Sequence, residues 1–258
     1  MGNKINQQRR PSRRDKELAA AAVKAANQGL GGAIKEKPAT MVGKKIDLTE
    51  SQKTLGNIIK SNDLVFVEGS AGSGKSTGVL AEFVNTYLSD NTKKIIVIRT
   101  PVEAGSDKIG FLPNGYDEKV APHFEASKDI LNMLLGKGKV ECDMDHRIFF
   151  KIPNYCLGQT FDNALVMIDE AQQLQPMIMK LLLERAGQNT KVVVVGDPSQ
   201  LYVNDRSRNG LTDAMDRFIG QDGEPFYPLV DWFKFPIEDC KTRSDLAFTV
   251  VKAYSGIR

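Results

Sequence analysis

The stretch from Leu64 to Thr77, LVFVEGSAGSGKST, constrains this chain more than any other. Leu64, Val65, Phe66 and Val67 form the short continuous apolar run that suits a strand buried on both faces of a parallel sheet. The side chains then shrink, through Gly69, Ser70, Ala71, Gly72, Ser73 and Gly74, before Lys75, Ser76 and Thr77. Gly69-x-x-x-x-Gly74-Lys75-Ser76 is the phosphate-binding loop pattern, in which glycines let backbone N–H groups curl around a phosphate chain at a helix N-terminus. A glycine-rich turn without a ligand is the competing reading, and the strand in front of the pattern argues against it. Lys75 is expected to reach the β- and γ-phosphates of a nucleotide, and the Ser76 hydroxyl to take one position on Mg²⁺. The helix that must follow is supplied by GVLAEFVNTYL, with Leu80, Phe83, Val84, Tyr87 and Leu88 on one face.

Three further apolar runs follow, at 93–101 (KKIIVIRTP), 164–172 (ALVMIDEAQ) and 191–200 (KVVVVGDPSQ), and each ends in polar residues. In an open parallel α/β sheet the ligand lies beyond the carboxyl ends of the strands, so these polar ends converge on one place. Asp169, at the tip of the third strand, is placed to bind Mg²⁺ through water, and the adjacent Glu170 to orient or deprotonate an attacking water. An acidic cap for the helix beginning near Pro176 is the alternative for this pair. Gly196 to Gln200 form a tight turn that can project Gln200 toward a γ-phosphate.

At 258 residues, with 41% hydrophobic and 26% charged residues, the chain has the composition of an ordinary globular protein with one substantial core. Its net charge of +3 is unevenly spread: residues 1–37 carry +6 and the remainder −3. Residues 1–45 therefore read as a flexible, basic, Ala-rich arm, whose RRPSRR segment either contacts nucleic acid or is a solvated tail. Residues 46–258 read as one nucleotide-binding domain, with a helical insertion at 114–150 between the second and third strands. Within the insertion a helix is expected from about Ala121 to Leu135, with Phe124, Ile130, Leu131, Leu134 and Leu135 as its apolar stripe. No apolar run has the length of a membrane span or a secretory leader, so a cytoplasmic location is expected. Cys142, Cys156 and Cys240 are isolated, which argues against a disulfide framework, and Cys142 with His146 lacks two ligands for a zinc site.

The set GSAGSGKST, IVIRTPVEAGSDKIGFLP, VMIDEAQ and VVVVGDPSQL resembles the PhoH family of ATPases, relatives of the superfamily 1 helicase core, and the resemblance runs from about residue 48 to 254. It implies a single RecA-like P-loop NTPase domain of α/β class with a mainly parallel sheet, using ATP and Mg²⁺. By the same likeness Gln52, in LTESQKTL, corresponds to a glutamine that reads adenine. RTPVEAG corresponds to a segment lying against a nucleic-acid strand, which makes Arg99, Thr100 and Pro101 candidate contacts. The residues themselves leave Arg99 open between a phosphate of nucleic acid and the periphery of the ATP site. Arg243 matches a position resembling an arginine finger.

Where the family commonly has Arg-Gly-Arg before the third strand, this chain has Leu157, Gly158 and Gln159. The expected activity is ATP hydrolysis coupled to RNA or single-stranded nucleic acid, with one domain per chain pointing to a homo-oligomer, such as a ring in which Arg243 serves a neighbour's ATP. An ATP-gated interaction protein with slow hydrolysis, and a P-loop small-molecule kinase, are the other readings.

Overall fold

The computed structural model describes residues 43, 46–101, 116–200, 209–242 and 244–254, the side chains of 116–120, 241 and 242 excepted. The chain enters through α1 (Glu50–Ser61), β1 (Leu64–Glu68), α2 (Lys75–Ser89) and β2 (Lys94–Arg99). Then come α3 (Tyr116–Leu135), α4 (Lys137–Asp143), β3 (Ile148–Lys151), α5 (Pro153–Cys156) and β4 (Ala164–Asp169). A 3-10 turn at Ala171–Gln173 leads to α6 (Pro176–Leu183), β5 (Lys191–Gly196), α7 (Gly210–Phe218) and β6 (Val230–Lys234), and a second at Ile237–Thr242 to α8 (Asp245–Tyr254).

The six strands among the described residues form one sheet in the order β3-β2-β4-β5-β1-β6, and every neighbouring pair is parallel. Helices cover both faces, so the central strands are buried on each side and read as unbroken apolar runs. Strand alternation divides the core. Val65 and Val67 of β1 pack with Leu55, Phe83, Tyr87 and Leu131 on one face. Phe66 packs with Val166, Ile168, Val194 and Leu211 on the other. Each such fully buried Val, Leu, Ile or Phe contributes roughly 1.5–3 kcal/mol relative to an exposed position. This is the α/β, mainly parallel P-loop fold that the strand pattern predicts.

Three details differ from the sequence expectation. The segment 114–150 is helical through α3 and α4, but its end enters the sheet, with Ile148 pairing opposite Ile95 and Phe149 opposite Ile96. A sixth strand, β6, pairs along β1 from Leu64↔Val230 to Glu68↔Lys234. Leu88, expected on the buried face of its helix, is 57% exposed, while Tyr87 beside it is fully buried, so in the last turn of α2 the core face carries Tyr87 and Leu88 turns to solvent. In α3 the predicted stripe holds: Phe124, Leu131 and Leu135 are buried, and Ile130 and Leu134 pack against them. Among the described residues no helix is long and apolar enough to cross a membrane.

Candidate active site

The phosphate loop hangs between β1 and α2, and its backbone shape depends on missing side chains. Gly72 and Gly74 adopt left-handed φ values of 80° and 84°, which an L side chain tolerates poorly. A Cβ on Gly69 would come within 2.8 Å of Ser73 Oγ and 2.9 Å of Phe235 Cβ. Gly74 caps α2 without any side-chain bond to the helix N-terminus, so no side-chain cap competes for its first N–H groups. Ser73 Oγ is buried with no hydrogen-bond partner among the described residues. Lys75 Nζ folds back onto the loop, donating to Gly69 O and, at 2.9 Å, to Ser70 O. Burial depresses the Lys75 ammonium below its ordinary pKa, and the charges of Asp197, Glu170 and Asp169 oppose that shift in decreasing order.

The acidic half of the site comes from the end of β4. Asp169 is 6% exposed, and its burial raises its carboxyl above the usual range, with Arg99 as the largest opposing influence. Glu170 is in the left-handed region at φ 52°, ψ 41°, a conformation uncommon outside glycine and suggestive of a functional constraint. Arg99, at the end of β2, donates from one terminal nitrogen to Asp169 Oδ2 at 3.3 Å and from the other to Glu170 Oε1 at 3.2 Å. The remaining Glu170 oxygen accepts a 2.7 Å bond from Gln172 Nε2, while Gln172 Oε1 accepts from the Asp197 backbone N–H at 3.2 Å. Glu170 is thus held from two sides, and Gln172 ties the end of β4 to the end of β5.

At the end of β5, Asp197 Oδ1 accepts from Ser199 N and Oγ at 3.0 and 2.6 Å. Its other oxygen is buried without a partner among the described residues. The turn brings round Gln200, whose side chain is exposed and whose carbonyl accepts from Gln173 Nε2 at 2.7 Å. Loop, carboxylates and turn enclose a cavity of about 460 Å³.

Of the residues expected from sequence, this cavity is lined by Ala71, Gly72, Gly74, Lys75, Ser76, Thr77, Asp169, Glu170, Gln200 and Arg99. Gly69, Ser70 and Ser73 shape the loop from behind without lining it. Arg99, left open at the sequence level, spends its guanidinium on the two carboxylates. Thr100 and Pro101 follow it outside the cavity, and Thr100 Oγ1 is buried without a partner among the described residues. Gln52 also lies outside, on α1 behind the loop. Arg243, most of RTPVEAG, GFLP and nearly all of the basic arm lie outside the described residues. Sequence reasoning did not single out Gln172, the charge of Asp197, or the wall that Ala126, Ser127 and Ile130 of α3 contribute. Gln172 was visible within DEAQ, but the wall had no local signal. A larger cavity of about 870 Å³, between α6 and α7, includes none of the predicted site residues.

The donor set suits a nucleotide with Mg²⁺. The Ser76 hydroxyl and Asp169 carboxylate are hard oxygen ligands, and they share the cavity with a glycine cradle that a single Cβ at Gly69 would crowd.

The family described as PhoH-like protein matches residues 46–255. A PhoH-like protein of Bacillus subtilis is 38% identical over 183 residues, covering 70% of this chain and 57% of the relative. Protein PhoH of Escherichia coli is 34% identical over 210 residues, covering 80% and 57%. The chain therefore spans little more than half the length of these relatives. Among solved structures, the large terminase of a thermophilic bacteriophage in complex with ADP aligns at TM-score 0.48 and 11% identity, over 80% of this chain and 50% of that one. The Pif1 helicase of Candida albicans aligns at TM-score 0.38 and 16% identity, over 77% and 42%.

Proposed function

Because this chain belongs to the PhoH-like protein family, we propose that it is a Mg²⁺-dependent ATP hydrolase whose turnover is coupled to binding or remodelling of RNA or single-stranded nucleic acid. The observation that carries this reading is the single cavity joining Lys75 and Ser76 of the loop to Asp169 and Glu170 of β4. Backbone N–H groups at the start of α2 and the Lys75 ammonium bind the phosphates, Lys75 exchanging the Gly69 and Ser70 carbonyls for phosphate oxygens. Ser76, and Asp169 through water, would hold Mg²⁺, which when bound would neutralise charge on the transferring phosphate. Glu170, oriented by Arg99 and Gln172, positions a water and accepts its proton. Gln200 lies on the same wall, where an amide can respond to the γ-phosphate. The fixed Glu170 carboxylate favours water as the acceptor over a small molecule.

The nucleic-acid half rests on the basic arm and on Thr100 and Pro101, which continue from a strand tip in the nucleotide site. The test is ATP turnover measured alone and with RNA, single-stranded DNA and small hydroxyl acceptors. Turnover should rise with nucleic acid and release inorganic phosphate. Glu170→Gln should cut it by about 10²- to 10⁴-fold while still binding a fluorescent ATP analogue, whereas Lys75→Ala should lose that binding. Wild-type turnover by Glu170→Gln would sink the assignment of Glu170, and phosphate delivered to a small acceptor in place of water would exclude the hydrolase.

A further inference from the structure

Helix α8 carries apolar residues on two faces. Ala247, Phe248 and Val251 are half-buried. Leu246, Val250 and Tyr254, spaced at i, i+4 and i+8, form a separate stripe whose members are 74%, 47% and 92% exposed. The stripe runs along one side of the helix for about 12 Å. This is the pattern by which a helix enters an apolar groove.

The same chain has such a groove. α6 and α7 approach closely where a Cβ on Gly210 would lie 3.1 Å from Met179 Cβ, and between the two helices is the cavity of about 870 Å³. Buried Met179 and Ala214 form its floor, and half-buried Leu183 and Phe218 with exposed Met177 and Tyr227 form its walls. α6, with eight residues, is also about 12 Å long, so stripe and groove match in length. No residue of α8 lines the groove of its own chain.

Charge follows the same match. Asp245 opens α8 and Lys252 lies in its last turn. The rim of the groove offers each an opposite charge, with Lys180 and Glu184 on α6 and Asp213 and Arg217 on α7. Two cations against two anions give this rim no net attraction for a polyanion such as nucleic acid.

We propose that the groove between α6 and α7 receives the Leu246, Val250 and Tyr254 stripe of α8 from a second copy of this chain. A chain with one domain thereby has two surfaces for self-association that do not call on Arg243. A copy that both gives and takes a helix either closes with one neighbour as a reciprocal pair or passes the contact on head to tail. One helix face in one groove is small beside the roughly 1,600 Å² of a standard interface, so assembly is expected at micromolar concentration.

Sedimentation velocity of the full chain from about 1 to 100 μM tests this. The helix variant carries Leu246→Glu and Val250→Glu, and the groove variant carries Met177→Glu and Tyr227→Glu. All four positions are exposed, where substitutions disturb folding little, and thermal unfolding checks that both variants fold. The Tyr227 ring meets Phe218 edge-on at 5.7 Å, so Met177→Glu alone serves as the groove variant should the double substitution unfold. The wild-type mass should rise above the monomer with concentration, and each variant alone should raise the dissociation constant at least about 30-fold. An equimolar mixture should form a 1:1 pair and nothing larger, because the helix variant keeps its groove and the groove variant keeps its helix. A wild type that stays monomeric throughout, or either variant assembling as the wild type does, would overturn the proposal. So would a mixture no more associated than its parts, since helix and groove would then not be each other's partners.

Discussion

Asp169 and Glu170 are consecutive, and in a continuing strand their side chains would point to opposite faces of the sheet. The left-handed turn at Glu170 changes that, bringing both carboxylates onto one guanidinium. Arg99 meets them because β2 and β4 are neighbours in register, with Arg99 opposite Asp169. That adjacency could not be read from the chain, in which a helical segment and β3 separate the two strands. The motif residues Lys75, Ser76, Asp169 and Glu170 could be read, because a phosphate site demands these side chains at fixed offsets from strand ends. Arg99 could not be decided, since an arginine at a strand tip serves a bound strand or a carboxylate equally well. A guanidinium spans two acceptors with two separate nitrogens, and an ammonium has only one. Arg99→Lys is therefore expected to keep the charge, leave nucleotide affinity within about threefold, and lower turnover by about tenfold or more. Parallel titration and steady-state kinetics check this, and equal losses in both would mean that Arg99 acts on binding.

Among the elements, β1, β2, β4 and β5 announce themselves because each is covered on both faces and needs four or more consecutive apolar residues. The edges do not. β6 reads VDWFK, with every residue half-buried or exposed, and β3 has four residues, three of them half-buried. An edge strand has one backbone edge unpaired, so polar residues are tolerated and the run loses its signature. Yet β6 matters to the site. It leads directly into Phe235, buried at 3% exposure, whose N–H donates to Glu68 O at 2.8 Å and whose Cβ closes on Gly69. Phe235→Gly should cost at least the roughly 3–5 kcal/mol of a Phe-to-Ala truncation and also weaken nucleotide binding, because the first glycine of the loop loses the Cβ that backs it. Denaturant unfolding gives the first quantity and analogue titration the second. A destabilised variant with wild-type affinity would show that the loop does not lean on this strand.

For the whole molecule, the net charge of +6 carried by residues 1–37 is proposed to add affinity for polyanions. Deleting residues 1–37 should leave basal ATP turnover intact and flatten the salt dependence of single-strand binding, whose log–log slope is about −0.7 for each phosphate neutralised. Binding measured from low to moderate salt decides this, and an unchanged slope would make the arm a solvated tail. The sheet order has a further consequence in time. Leu64, at the start of the strand that carries the phosphate loop, is flanked by Val192 and Val230, so both of its neighbours are synthesised long after it. At about 5–20 residues per second, the ribosome leaves this strand without either partner for on the order of ten seconds. The nascent chain thus holds an apolar strand unpaired until the segment around Val192 emerges, and a polypeptide cut short before that point has no framework on which to shape a nucleotide pocket. Competence to bind nucleotide is in this way a report that translation has passed the strands on either side of the loop.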